Sequence, residues 1–207
     1  MNKKSNVIML HGWTNGDISE IPEFLPDSKE NWMGWTKKQL EAQGYKVDNP
    51  FLRDGYKSDY EGWKRQVEKL DINENTILVG WSSGGALWVR WLGETKVKVK
   101  KLILVAPAKV VGNSDASLKE ISELEMNPEW RLIWNSFHDF ECDTTIKDRV
   151  SDIKIFISDD ASWLIEAAHL YATELEAKLV EIKNQGHFTK DRRPSPEFPE
   201  LLEAILK

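Results

Sequence analysis

A serine, a histidine and an acid, far apart in the chain but each beside turn-forming residues, are the groups here best suited to covalent chemistry. Ser82 stands in Gly80-Trp81-Ser82-Ser83-Gly84, with a glycine two positions to either side. The run Thr76-Ile77-Leu78-Val79 leads into it, and Gly84, Gly85 and Ala86 open a helix-compatible stretch after it. A strand–turn–helix of this kind is the setting of a nucleophile elbow, in which strained backbone lifts the serine Oγ above a sheet. The glycines are then a steric requirement, because a Cβ at either flank would crowd the neighbouring strand or helix. Ser83 does not fit, since Trp81 stands two residues before it. At a helix N-terminus, Ser82 also lies where the dipole favours developing negative charge.

A serine hydroxyl needs a base, and the base needs an acid to orient it. His187 follows the last apolar run, behind Gly186. His11 belongs to the exit of the first strand, His138 to a long insertion and His169 to a helix, so His187 is the candidate base. Two acids, Asp159 and Asp160, end the fifth strand in Ile155-Phe156-Ile157-Ser158-Asp159-Asp160. Either could be the orienting acid, or could cap the helix that follows. Asp115 is a weaker alternative. Serine, acid and histidine then follow the chain order of the α/β-hydrolase fold. The oxyanion donors expected from that order are the N–H groups of Ser83 and of Trp13, in His11-Gly12-Trp13. Gly12 lets the backbone approach the substrate, and Gly12 and Trp81 are expected at the substrate pocket.

These groups require a scaffold that delivers them to one place. Short β-branched runs at Asn6–Leu10, Tyr45–Asp48, Thr76–Gly80, Lys101–Ala106, Lys154–Ser158 and Lys178–Lys183 alternate with helical patterns. Such alternation implies βαβ units, a mainly parallel doubly wound sheet of order 2-1-3-4-5-6 and helices on both faces. Strands 1 and 3 then flank the switch point, where ligands bind, and both the His11-Gly12-Trp13 loop and the elbow leave from it. Ser58 is the expected cap of the second helix. With no repeat or low-complexity linker, residues 1–207 read as a single domain. Segments 11–31 and 109–150 are long excursions of the kind that build binding surfaces. Most of the ten tryptophans are expected in the core, with Trp13 and Trp81 as pocket candidates.

Composition narrows the function classes. A net charge of −6 argues against nucleic acid or an anionic membrane as the main partner and leaves a small-molecule substrate. One cysteine, Cys142, excludes an internal disulfide and suits a reducing, cytoplasmic setting. The apolar stretch Val7-Ile8-Met9-Leu10 is too short for a signal peptide. His138, Asp139, Glu141 and Cys142 lie close together but lack a recognised metal-ligand spacing.

The segments around Leu10-His11-Gly12-Trp13, Gly80-Trp81-Ser82-Ser83-Gly84, Ser158-Asp159-Asp160-Ala161 and Gly186-His187-Phe188 together resemble the small single-domain serine hydrolases typified by retinoblastoma-binding protein 9. The resemblance spans nearly the whole chain. It implies Ser82 as nucleophile, His187 as base and an esterase-like activity with no metal or organic cofactor. It favours Asp160 as acid, because the family's Asp-Asp-Pro places the acid just before the proline, here Ala161. Trp81 replaces a histidine frequent before the nucleophile. The retinoblastoma-protein-binding motif Leu-x-Cys-x-Glu reads Leu70-Asp71-Ile72-Asn73-Glu74, so that binding is not carried over. A binding or adaptor protein on the same scaffold is the alternative function, and an intact triad weighs against it.

Overall fold

The first strand, β1 (Asn6–Leu10), and the strand that leads to the elbow, β3 (Ile77–Trp81), are buried at every position. Their unbroken apolar runs are what a strand covered on both faces needs. The computed structural model describes residues 5–13, 28–52, 57–111, 114–124, 126–193 and 195–207. With β2 (Lys46–Asp48), β4 (Val99–Val105), β5 (Val150–Ile157) and β6 (Lys178–Glu181), they form a six-stranded sheet of order 2-1-3-4-5-6. Each pairing is parallel, so the sheet expected to be mainly parallel is parallel throughout. Leu10 lies opposite Gly80 and Trp81 opposite Val105, which sets the exits of β1, β3 and β4 side by side.

Two strands begin earlier than expected, at Val99 rather than Lys101 and at Val150 rather than Lys154. The exposed Lys100 and Ser151 interrupt the apolar pattern there and hide the strand starts.

Helix α1 (Trp32–Ala42) packs with the C-terminal α7 (Pro199–Leu206). Helices α2 (Tyr60–Val67) and α5 (Pro128–His138) both pack with α3 (Ser83–Thr95), and helices cover both faces of the sheet. The cap of α2 is Asp59, whose Oδ1 accepts the Gly62 N–H at 2.9 Å, rather than the expected Ser58. The excursion at 109–150 holds α4 (Asp115–Glu123), α5 and a short 3-10 helix (Thr144–Asp148). Most of the 11–31 excursion falls outside the described residues. Trp32, Trp63 and Trp88 are among the largest fully buried side chains, as expected of core tryptophans. Helix α6 (Ser162–Glu174) follows the acid pair. Among the described residues no helix is long and apolar enough to cross a membrane.

Candidate active site

Ser82 follows β3 directly, with φ 53° and ψ −121°. A non-glycine residue at such a φ carries strain on the order of 1–3 kcal/mol and persists only where its surroundings impose it. Those surroundings are hydrogen bonds on both sides of its peptide. The Ser82 N–H donates to the Val105 carbonyl at 2.9 Å, and the Ser82 carbonyl accepts from Gly85, Ala86 and Ala108 N–H groups at 3.0–3.2 Å. The flanking glycines leave the space that the turn needs. A Cβ on Gly80 would lie 2.6 Å from the Gly84 carbonyl oxygen, and one on Gly84 would lie 2.5 Å from that of His11. Gly12 also passes close over the elbow, since its Cβ would stand 3.0 Å from the Ser82 Cβ.

Asp160 and His187 meet across the ends of β5 and β6. The His187 Nδ1–H donates to the Asp160 carboxylate at 2.5 Å, and the other Asp160 oxygen accepts the Ala161 N–H at 2.8 Å. With Nδ1 so occupied, Nε2 is the nitrogen left to accept a proton. Asp159 does different work. Its Oδ1 accepts from Ser158 Oγ at 2.5 Å and from the backbone N–H groups of Gln185 and Gly186 at 3.1 and 3.4 Å. These bonds, the one from the Ser158 hydroxyl foremost, hold its pKa down at about 2. Asp159 therefore braces the loop that carries His187, while Asp160 touches the ring. Of the two acids left open by the sequence, Asp160 is the one on the histidine. Asp115 lies in the first turn of α4, whose cap is Ser114.

Trp81, expected in the substrate pocket, is instead a buried prop for the same loop. Its Nε1–H donates to the His187 carbonyl at 2.9 Å, and its ring lies 5.8 Å from the imidazole. Phe188 adds an anchor in the core, stacked on Phe198 at 5.4 Å.

Ser82, Ser83 and His187 face one cavity of about 230 Å³. Its remaining wall is apolar: Trp13, Leu124, Met126, Trp134, Trp163 and Leu164, with Ala108 beside the elbow. Trp13 was an expected member. Trp134 and Trp163 were not, although Trp163 follows the acid pair by three residues and Trp134 lies one helical turn before His138.

The serine hydrolase family model matches residues 7–200, from the first strand to the last helix. The chain belongs to the serine hydrolase family. Its fold is that of known α/β-hydrolase structures. The Bacillus subtilis ydeN gene product is 20% identical, with a TM-score of 0.74 over 98% of this chain and 97% of that one. A putative thioesterase from a Silicibacter species is 15% identical, TM-score 0.63, over 98% and 76%. The Bacillus subtilis carboxylesterase CesB is 14% identical, TM-score 0.57, over 100% and 84%. No curated protein sequence matches it.

In this serine hydrolase family member, two buried histidines support the site without facing the cavity. The Leu52 N–H donates to His11 Nε2 at 3.0 Å, so Nδ1 carries the proton and donates to the Gly12 carbonyl at 2.8 Å. That carbonyl shares a planar trans peptide with the Trp13 N–H, so holding one end fixes the direction of the other. His138 donates from Nδ1 to the Trp134 carbonyl at 2.8 Å and accepts at Nε2 from Ser83 Oγ at 2.9 Å. Both ring nitrogens of His138 are thus engaged, and among the described residues no cluster suited to a metal includes it. The Ser83–His138 bond, between residues 55 apart, ties α5 to the head of α3.

Burial lowers the pKa of His11 to about 4 and that of His138 to about 3, against partial compensation from their backbone bonds. Both stay neutral in the folded chain while the unfolded chain protonates them at about 6.5. Stability is therefore full above that pH and is lost as the pH falls towards 4. The loss should reach a few kcal/mol, about 1.4 kcal/mol for each pKa unit of difference. Urea midpoints measured between pH 7 and 4 should fall, and the fall should be smaller in His138→Gln. Equal slopes in the variant and the parent would contradict a neutral His138.

Proposed function

We propose that this hydrolase is a carboxylesterase-like enzyme that cleaves a small ester, thioester or amide through an acyl-enzyme on Ser82. The observation that carries the proposal is the Asp160–His187 bond, which leaves Nε2 as the free basic nitrogen of a residue facing the same cavity as a strained serine. The carboxylesterase and the putative thioesterase of similar fold support the acyl chemistry, and the resemblance of the four motif segments to hydrolases of the retinoblastoma-binding protein 9 type supports the triad assignment.

In this mechanism His187 Nε2 removes the Ser82 hydroxyl proton as Oγ attacks the substrate carbonyl carbon. The carbonyl π electrons move to oxygen, and the resulting oxyanion is met by the N–H groups of Ser83 and Trp13. Ser83 is the first residue of α3, where a backbone N–H has no intrahelical acceptor. His11 holds the Trp13 N–H in direction through the Gly12 carbonyl. Collapse of the intermediate breaks the bond to the leaving group, which takes the proton from His187. Water, deprotonated by the same Nε2, then attacks the acyl-serine ester, and collapse releases the acid as Ser82 Oγ takes the proton back from His187. Asp160 stabilises the imidazolium formed in each half and keeps Nδ1 protonated. Neither a metal nor an organic cofactor enters any step. The acidic balance and the single cysteine suit a cytoplasmic enzyme acting on a small molecule rather than on nucleic acid or membrane.

Incubation with a fluorophosphonate tests this function. Aryl-ester hydrolysis should decay to nothing with time, with one phosphonyl group bound per chain. Turnover that survives excess reagent would contradict a serine mechanism.

A further inference from the structure

We infer that the substrate's acyl part is neutral and apolar, the size of one aromatic ring with a short linker or of a six- to eight-carbon chain. This rests on the serine-hydrolase function proposed above and adds the substrate class to it. Three observations converge.

The first is the lining. Trp13, Leu124, Met126, Trp134, Trp163 and Leu164 form the wall, and among the described lining residues only His187 is ionisable. A carboxylate or ammonium on the acyl group would lose its hydration there without gaining a partner.

The second is size. An apolar cavity of about 150 Å³ takes up benzene, so about 230 Å³ admits a ring and two or three further atoms. Drug-sized sites start at about 300 Å³.

The third is that the walls are tied down at both ends. Ser83 Oγ donates to His138 at the end of α5, whose Trp134 lines the cavity. Arg131 of α5 donates to the Ile121 and Leu124 carbonyls at 2.9 Å, closing the end of α4 over the cavity. Helix α6 lacks a side-chain cap of its own. Glu120 of α4 supplies one from outside, accepting from Ser162 Oγ at 3.1 Å and the Trp163 N–H at 3.3 Å. Trp134 is thereby fixed to the helix that follows the nucleophile, and Trp163, three residues after Asp160, is fixed to α4.

The orientation of the substrate follows from proton transfer. The leaving group must lie against His187, whose side chain is 27% exposed, so it points to the open rim. The acyl part takes the tryptophan-lined end.

A panel of p-nitrophenyl esters tests the assignment: acetate, butyrate, hexanoate, phenylacetate, decanoate and hemisuccinate. From acetate to butyrate, kcat/KM should rise about fourfold for each added methylene. It should peak at hexanoate or phenylacetate and fall by about tenfold or more at decanoate, where the wall must be displaced. Hemisuccinate should be turned over far below butyrate. Trp163→Ala should move the optimum towards decanoate, and Trp163→Leu should do so to a smaller degree where the alanine variant does not fold. An optimum at acetate or decanoate in the parent, hemisuccinate equal to butyrate, or an unmoved optimum in a folded variant would overturn the inference. Phosphonylation of Ser82 by a small fluorophosphonate does not depend on acyl length and separates the two levels. A failed panel with Ser82 labelled overturns the acyl class alone, whereas an unlabelled Ser82 overturns the proposed function as well.

Discussion

Ser82→Ala is expected to remove p-nitrophenyl acetate hydrolysis almost entirely, by about 10⁶-fold in kcat where the serine acts as part of a triad. The protein should stay folded. Alanine keeps a Cβ, so the backbone at φ 53° is neither relieved nor worsened. The bonds from Ser82 to Val105, Gly85, Ala86 and Ala108 are made by backbone atoms and survive the change. Kinetics and a melting curve on the same preparation separate the two effects. Near-parental turnover in a folded variant would remove Ser82 from the mechanism.

Asp160→Asn should cost about 10⁴-fold in kcat, as loss of the triad acid does in serine proteases where it leaves the histidine in the wrong tautomer. The amide would present an N–H to His187 or rotate and lose the bond to the Ala161 N–H. Asp159→Asn should cost far less. Its remaining carbonyl oxygen can still accept from Gln185, and the loop keeps the Trp81 bond to the His187 carbonyl and the Phe188 anchor. A cripplingly slow Asp159 variant beside an active Asp160 variant would reverse the assignment and leave the serine and histidine in place.

The elbow and the strand order were legible because they rest on local sterics and on alternation. A glycine pair around a serine after an apolar strand has few other uses, and six short strands separated by helices admit few topologies. From local residues alone the candidate acid was legible only to within one position, since neighbouring side chains on a turn point apart, and it was the family resemblance that favoured Asp160. Here Asp159 turned to the Gln185–Gly186 backbone and Asp160 to the ring. Trp81 looked like a pocket residue from its place beside Ser82. As the last residue of β3 it lies among core rings, 5.9 Å from Trp32. The walls supplied by Trp134 and Trp163, and the Ser83–His138 bond, were not legible. They depend on how α4 and α5 dock over α3 and α6, a long-range packing outcome that no periodicity within the insertion encodes.

The most direct test is where a fluorophosphonate attaches. After stoichiometric labelling, proteolysis and mass mapping, the phosphonyl group should sit on Ser82 in the peptide spanning Gly80–Gly84, and denaturing the protein first should abolish the reaction. A label on Ser83 or on any residue outside the elbow, or none while ester hydrolysis proceeds undiminished, would contradict Ser82 as the nucleophile.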